Sequence, residues 1–205
     1  MKKTLIFDFD GTLADSADLM IECANILAKK YRYPIIENPD QHKDKPAQYI
    51  LKEILQIPWY RVPFYIRDMK NLFKSKLQNV EIFEGIPAAL ESLSKRYRLG
   101  LLSTNKEETI HHILKKYSID QFDFISADSA LFGKHKEIKK ILSRYKLLLN
   151  DTLYIGDELR DIEATKKIGM KIGVVGWGLN SVSILKTQNP AYLFETPEDL
   201  AKINF

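Results

Sequence analysis

What this 205-residue chain has little of narrows it first. A single cysteine, Cys23, excludes an internal disulfide framework and fits a reducing compartment, where it serves as a small buried hydrophobe in a helical segment. No run approaches the roughly 18 apolar residues of a membrane span. The two N-terminal lysines lead straight into Asp8 and Asp10, which interrupts an apolar signal core before it starts. A cytoplasmic location is therefore the expectation. No block of like charge is long enough for a polybasic tail, and internal repeats and low-complexity tracts are missing. The formal net charge of +4 helps draw in anions but falls well short of a nucleic-acid arm. Neither nucleic acid nor membrane is an expected partner.

What is present is ordinary globular composition, 45% hydrophobic and 28% charged, which gives no reason to expect disorder. The length suits one sizeable domain or a domain with a smaller insert. Thr4 to Asp10 is a short β-prone run ending in carboxylates and then Gly11-Thr12, a buried strand meeting a tight turn. From about residue 15 to residue 83 the pattern is helical, as in Ser16 to Tyr31 and Arg61 to Leu77, punctuated by Pro34, Pro39, Pro46, Pro58 and Pro63. Beyond Ile86, strand-like runs (Leu99 to Thr104, Phe122 to Ala127, Thr152 to Ile155, Ile172 to Val175, Tyr192 to Phe194) alternate with helical ones (Glu107 to Tyr117, Lys136 to Tyr145, Asp161 to Ile168).

Such alternation predicts an α/β fold, a doubly wound parallel sheet covered on both faces. The first strand then belongs to the same sheet, and the helical stretch is an insertion. The expected division is a core of residues 1–14 and 84–205 and a helical insert of 15–83. In open α/β sheets ligands bind beyond the carboxyl ends of the strands, and the polar residues cluster there.

Asp8 and Asp10 lie two apart, on one face of a regular strand. Acids that close repel, so they call for a cation or a shared proton. Magnesium suits such a site, since it takes oxygen ligands and often only one or two carboxylates plus substrate phosphate. In isolation a DxD is as well explained by a surface turn. Leu101 to Lys106 ends a strand in Ser103-Thr104-Asn105, where hydroxyls and amides at a strand-to-helix turn can cradle phosphate or simply cap a helix. Lys134, in Leu131-Phe132-Gly133-Lys134-His135-Lys136, precedes a helix and can offset the charge of a transferring phosphoryl group. Lys136 is the alternative. Thr152 to Asp161 is a strand ending in GDxxxD, which places Asp157 and Asp161 beside the first pair or, read in isolation, on a helix surface.

Together these four segments resemble the haloacid dehalogenase superfamily, whose first motif is an apolar strand followed by DxDGTLxDS. Here it stands as Phe7-Asp8-Phe9-Asp10-Gly11-Thr12-Leu13-Ala14-Asp15-Ser16. The TN-K at Thr104 and the Val174-Val175-Gly176-Trp177-Gly178 segment look like the phosphoglycolate-phosphatase-like branch. The resemblance implies a Rossmann-like core with a small α-helical cap and magnesium-dependent hydrolysis of a small phosphorylated metabolite. It makes Asp8 the nucleophile and Asp10 the general acid/base. Thr104 and Asn105 bind the phosphoryl group, with Ser103 as the neighbouring register, and Lys134 steadies it. Asp8, Asp10 and Asp157 form the metal site, supported by Gly11, Thr12 and Asp161. Glu158 stands where many relatives have serine, and His135 where many have proline.

In the insert, Lys43, Lys45, Arg61 and Arg67 are candidate contacts for an anionic leaving group, and Tyr31, Tyr33, Trp59, Tyr60 and Phe64 candidate pocket walls or cap core. His111 and His112 diverge by about 100° on a helix and make a poor metal pair. Rival readings are a phosphonatase, a sugar-phosphate mutase, or a binding protein without turnover. A monomer or homodimer is expected.

Overall fold

The computed structural model describes residues 2–45, 47–127 and 133–205. Pro46, Leu131 and Phe132, quoted above, lie outside them. Strand β1 (Thr4–Asp8) is buried along its whole length. It is flanked on both sides by parallel partners, β4 (Arg98–Leu102) and β6 (Thr152–Gly156). A strand with neighbours on both edges and helices on both faces has no solvated side, so it reads as a continuous apolar run rather than an alternating one. Adding β5 (Phe124–Ser126), β7 (Lys171–Val175) and β8 (Tyr192–Phe194) gives a six-stranded sheet in the order β5-β4-β1-β6-β7-β8. All its pairings are parallel. This is the α/β, Rossmann-like doubly wound sheet that the alternation implies.

The chain leaves β1 toward one edge, through β4 and β5, and returns to build β6, β7 and β8 on the other. The strand order therefore reverses at β1, and a crevice opens at the carboxyl ends of β1 and its neighbours. Between strands run α4 (Ile86–Ser94), α5 (Glu107–Lys116), α6 (Lys134–Arg144) and α7 (Leu159–Lys166). One core cluster packs Ile6, Leu102, Phe124 and Tyr154 of the sheet against Ile138 and Ile141 of α6 and Ile162 of α7. Strand bounds differ from the sequence reading by a residue or two: β6 and β7 run one longer, and β4 and β5 end sooner. β4 stops at Leu102 rather than Thr104: the Ser103 N–H still donates to the Ser126 carbonyl at 2.9 Å, and Thr104 and Asn105 then turn toward α5.

Two compact units are formed, one of Met1–Asp15 with Glu81–Phe205 and one of Ser16–Val80. The sequence pattern changes at 15 and 83. The contact boundaries fall at Asp15/Ser16 and Val80/Glu81 because β2 (Ala14–Asp15) and β3 (Glu81–Ile82) pair antiparallel and tie both crossings to the sheet-bearing unit.

In the helical unit, α1 (Ala17–Tyr31) and α3 (Val62–Lys76) run antiparallel. Lys76 meets Glu22 at 2.5 Å, and the Tyr65 hydroxyl donates to the Ala24 carbonyl at 2.8 Å. Between them lie a short helical turn, α2 (Ala47–Tyr49), and a π-helical turn, Ile50–Ile54. The core of this unit gathers Ala24, Leu27, Ala28, Ile36, Leu55, Ile57 and Tyr65. Among the described residues, no helix is long and apolar enough to cross a membrane.

Candidate active site

At the end of β1 the chain folds back on itself within six residues. Gly11 N–H donates to the Ala14 carbonyl, and Leu13 and Ala14 both donate to that of Phe9, each at 2.9 Å. Gly11 takes a φ of +71°, and a Cβ added there would lie 2.1 Å from Asp157 Oδ2, so only glycine admits the carboxylate. The Thr12 hydroxyl, fully buried, donates to Asp157 Oδ1 at 2.9 Å. Leu179 N–H donates to the other oxygen, Oδ2, at 2.8 Å. Trp177 closes the same turn from outside, its indole N–H donating to the Thr12 carbonyl at 3.0 Å. Asp157 is thus clamped by segments from both ends of the chain.

Asp8, Asp157 and Asp161 are all buried, and their carboxylate oxygens lie within 4.8 Å of one another. Lys134, the first residue of α6, reaches into this group. Its ammonium lies 2.5 Å from Asp8 Oδ2 and also bonds Asp161 Oδ1. Lys136 is exposed, so of the two lysines weighed from sequence it is Lys134 that meets Asp8. Asp161 has a second task, accepting the Glu158 backbone N–H at 3.3 Å to close the first turn of α7.

Electrostatics follow from burial. Desolvation raises the Asp8 pKa against the pull of Lys134. It raises Asp157 well above the usual carboxylate range, with Glu158, Asp161 and Asp8 adding repulsion. Burial pulls the Lys134 ammonium down, but the carboxylates of Asp161 and Asp8 outweigh it and hold its pKa well above the ordinary value. Three carboxylates against one ammonium leave an anionic, oxygen-lined pocket. That chemistry fits a hard divalent cation such as magnesium and no softer one in preference.

Asp10 stands apart from the three convergent carboxylates. Its Oδ2 accepts from the Asn105 side-chain amide at 2.7 Å, which ties the end of β1 to the end of β4. Asn105 and Ser103 are buried, and the Ser103 hydroxyl accepts the Asn105 backbone N–H at 3.1 Å. Thr104 between them is half-buried. Outside this cluster, His111 pairs with Glu107 at 3.5 Å. Lys45 lies over the Tyr49 ring, and Lys43 is exposed in the helical unit.

Sequence reasoning named Thr12 only as support and passed over Leu179 and the Trp177 indole. A backbone amide carries no signature of its own in the sequence.

The family model for haloacid dehalogenase-like hydrolases matches residues 5–175. The chain belongs to that family of enzymes, as its four motifs imply. It is 30% identical over 202 residues to a phosphoglycolate phosphatase of Synechococcus elongatus, covering 97% of this chain and 95% of the relative. A pyrophosphatase, PpaX, of Anoxybacillus flavithermus is 26% identical over 98% of this chain and 95% of its own. In fold, a haloacid dehalogenase-like hydrolase from Streptococcus pneumoniae superimposes with a TM-score of 0.82 at 22% identity, covering 97% of this chain and 96% of the other.

Proposed function

We propose that this protein is a phosphatase that hydrolyses small phosphomonoesters through a phosphoryl group carried on Asp8, in a magnesium-dependent reaction. The observation that carries the reading is the buried contact of Lys134 with both Asp8 and Asp161 beside a clamped Asp157. A carboxylate so placed is held on both oxygens, Oδ2 by the Lys134 ammonium and Oδ1 by the Phe9 N–H at 2.9 Å.

In the proposed sequence, an Asp8 carboxylate oxygen attacks phosphorus, and the bond to the leaving oxygen breaks as Asp10 supplies its proton. Asp10, held by Asn105, then takes a proton from water as that water attacks the phosphorus of the aspartyl-phosphate, releasing phosphate and free Asp8. Thr104 and the amides at the start of α5 receive the phosphoryl oxygens. Lys134 offsets the charge developing on them.

The donor set of Asp8 and Asp157, with Asp161 beside them, would hold Mg2+, which when bound neutralises phosphoryl charge. We assign Asp10, expected from sequence both in the metal site and as the general acid/base, to proton transfer, and its hydrogen bond from Asn105 supports that assignment. We assign substrate selection to the helical insert, as a cap.

Phosphate release from a panel of phosphomonoesters and pyrophosphate, with and without magnesium, tests the reading. Magnesium-dependent release from at least one small phosphomonoester is the expected result. Pyrophosphate as sole substrate would redirect it to anhydride hydrolysis, and phosphoryl transfer between sugar hydroxyls without release would make the protein a mutase.

A further inference from the structure

The helical unit carries a cleft built from its own residues. Where α1 ends and α3 begins, a cleft of about 320 Å3 opens, and all its lining residues belong to this unit. That volume lies in the range of small-ligand pockets, roughly 300–1,000 Å3. The chain crosses into this unit just before α1 and leaves it soon after α3. Each helix is 15 residues long, so the cleft sits about 20 Å along them from both crossings.

The walls are aromatic and pre-built. Tyr31, Tyr33 and Tyr65 meet one another in tilted contacts with ring centroids 6.3–6.4 Å apart. Tyr31 is pinned through its hydroxyl to Asp68, and Tyr65 through its hydroxyl to the Ala24 carbonyl. At the mouth, Tyr60 and Phe64 are 56% and 59% exposed, an unusual use of large rings in a unit whose core is already filled elsewhere. A guanidinium lies beside each of these rings, Arg61 at 6.0 Å from the Tyr60 centroid and Arg67 at 5.6 Å from that of Phe64.

The charges do not cancel. Arg67 is matched by Asp68 at 3.0 Å. Arg61 is in no ion pair among the described residues; its neighbours are the phenols of Tyr33 and Tyr60, which raise its pKa and keep it cationic. Arg61 and Arg67 against Asp68 leave the lining one positive charge in excess. Flat rings offer stacking to any planar ligand, and a guanidinium held over a ring offers paired donors to a phosphate or carboxylate.

We propose that this cleft is a binding site for a small anion bearing a planar aromatic ring, of the nucleoside monophosphate class. All of its lining residues belong to the helical unit. Trp59, 85% exposed and edge-on to Tyr60 at 6.0 Å, stands next to the mouth as a natural reporter.

The test is a heteronuclear NMR titration of the full-length chain, without magnesium, with AMP, adenosine and inorganic phosphate in parallel. AMP should shift the signals of Tyr31, Tyr33 and Arg61 saturably. Adenosine and phosphate should each bind there at least about tenfold more weakly, and Arg61→Gln should weaken AMP by a similar factor. Because Arg61 is exposed, the variant is expected to fold as the parent does. Shifts confined to the surroundings of Asp8 and Asp157 would overturn the proposal, as would unchanged AMP binding in Arg61→Gln. Concentration-dependent self-association that protects Tyr60 and Phe64 would overturn it too, by making the face an interface between copies.

Discussion

Thr12 and Asp157 are 145 residues apart in the chain, yet the Thr12 hydroxyl donates to Asp157 Oδ1 at 2.9 Å. The turn after β1 and the turn after β6 are thereby one structure. A ligand carboxylate held by an outer hydroxyl is fixed in direction before any cation arrives.

Thr12→Val keeps the shape and removes that hydroxyl. The magnesium concentration giving half-maximal phosphate release should rise about 10–100-fold, while turnover at saturating magnesium changes far less. A magnesium titration of activity checks this. An unchanged half-maximal concentration would show that Thr12 does not orient the metal site.

Gly11 and Gly169 form a matched pair, with φ of +71° and +70°. A Cβ at Gly169 meets nothing within 4 Å, whereas one at Gly11 collides with Asp157. Both alanine variants carry the left-handed strain of roughly 1–2 kcal/mol. Gly169→Ala should therefore lose only that stability and keep its activity, whereas Gly11→Ala should lose activity as well. Urea unfolding and phosphate release on the two proteins separate strain from displacement of Asp157.

Removing the ammonium that Asp8 and Asp161 share leaves two buried carboxylates facing each other. Lys134→Met should destabilise the magnesium-free protein by about 3–5 kcal/mol at neutral pH. It should also lower turnover by on the order of 10^2–10^3-fold, through loss of charge stabilisation. Adding Asp161→Asn to Lys134→Met should recover part of the stability and none of the turnover. Denaturant midpoints and initial rates on the three proteins test both halves.

Tyr65 offers a pH dependence within the helical unit. Burial pushes its phenol up from 10.0 to about 12. The raised pKa means the folded chain keeps a proton that the unfolded chain releases. Tyr65's contribution is therefore fully present below pH 10 and is lost as pH rises through the window from about 10 to 12. The stability difference between wild type and Tyr65→Phe should narrow between pH 9 and pH 11. A constant difference would place the phenol in water.

The sheet was legible in the sequence because each buried strand is an uninterrupted apolar run closed by polar residues, as in Thr4 to Asp10. Tyr192 to Phe194 coincides with its strand. Asp8, Lys134, Asp157 and Asp161 were named through the family resemblance of their motifs, and the structure brings these four side chains together. Two kinds of feature were not legible. The β2–β3 pair is only two residues on each side, too short for any periodicity. The clamp on Asp157 depends also on the Leu179 backbone amide and on Gly178, whose close approach to that side chain comes from the fold; Gly11 stood in the first motif, but only as support. Asp10 shows the limit of spacing as a guide. Two residues from Asp8, it shares a strand face only if the strand continues, and the turn at Gly11 delivers it to Asn105 instead.

The most direct measurement is acid quench of a single turnover followed by peptide mass mapping, with Asp8→Asn alongside. The proposed mechanism requires one phosphoryl group on the peptide bearing Asp8 in the wild-type protein. In the folded Asp8→Asn protein it requires none, with phosphate release reduced by on the order of 10^3-fold or more. Phosphate release near the wild-type rate from Asp8→Asn, or a phosphoryl group trapped on another residue, would contradict it.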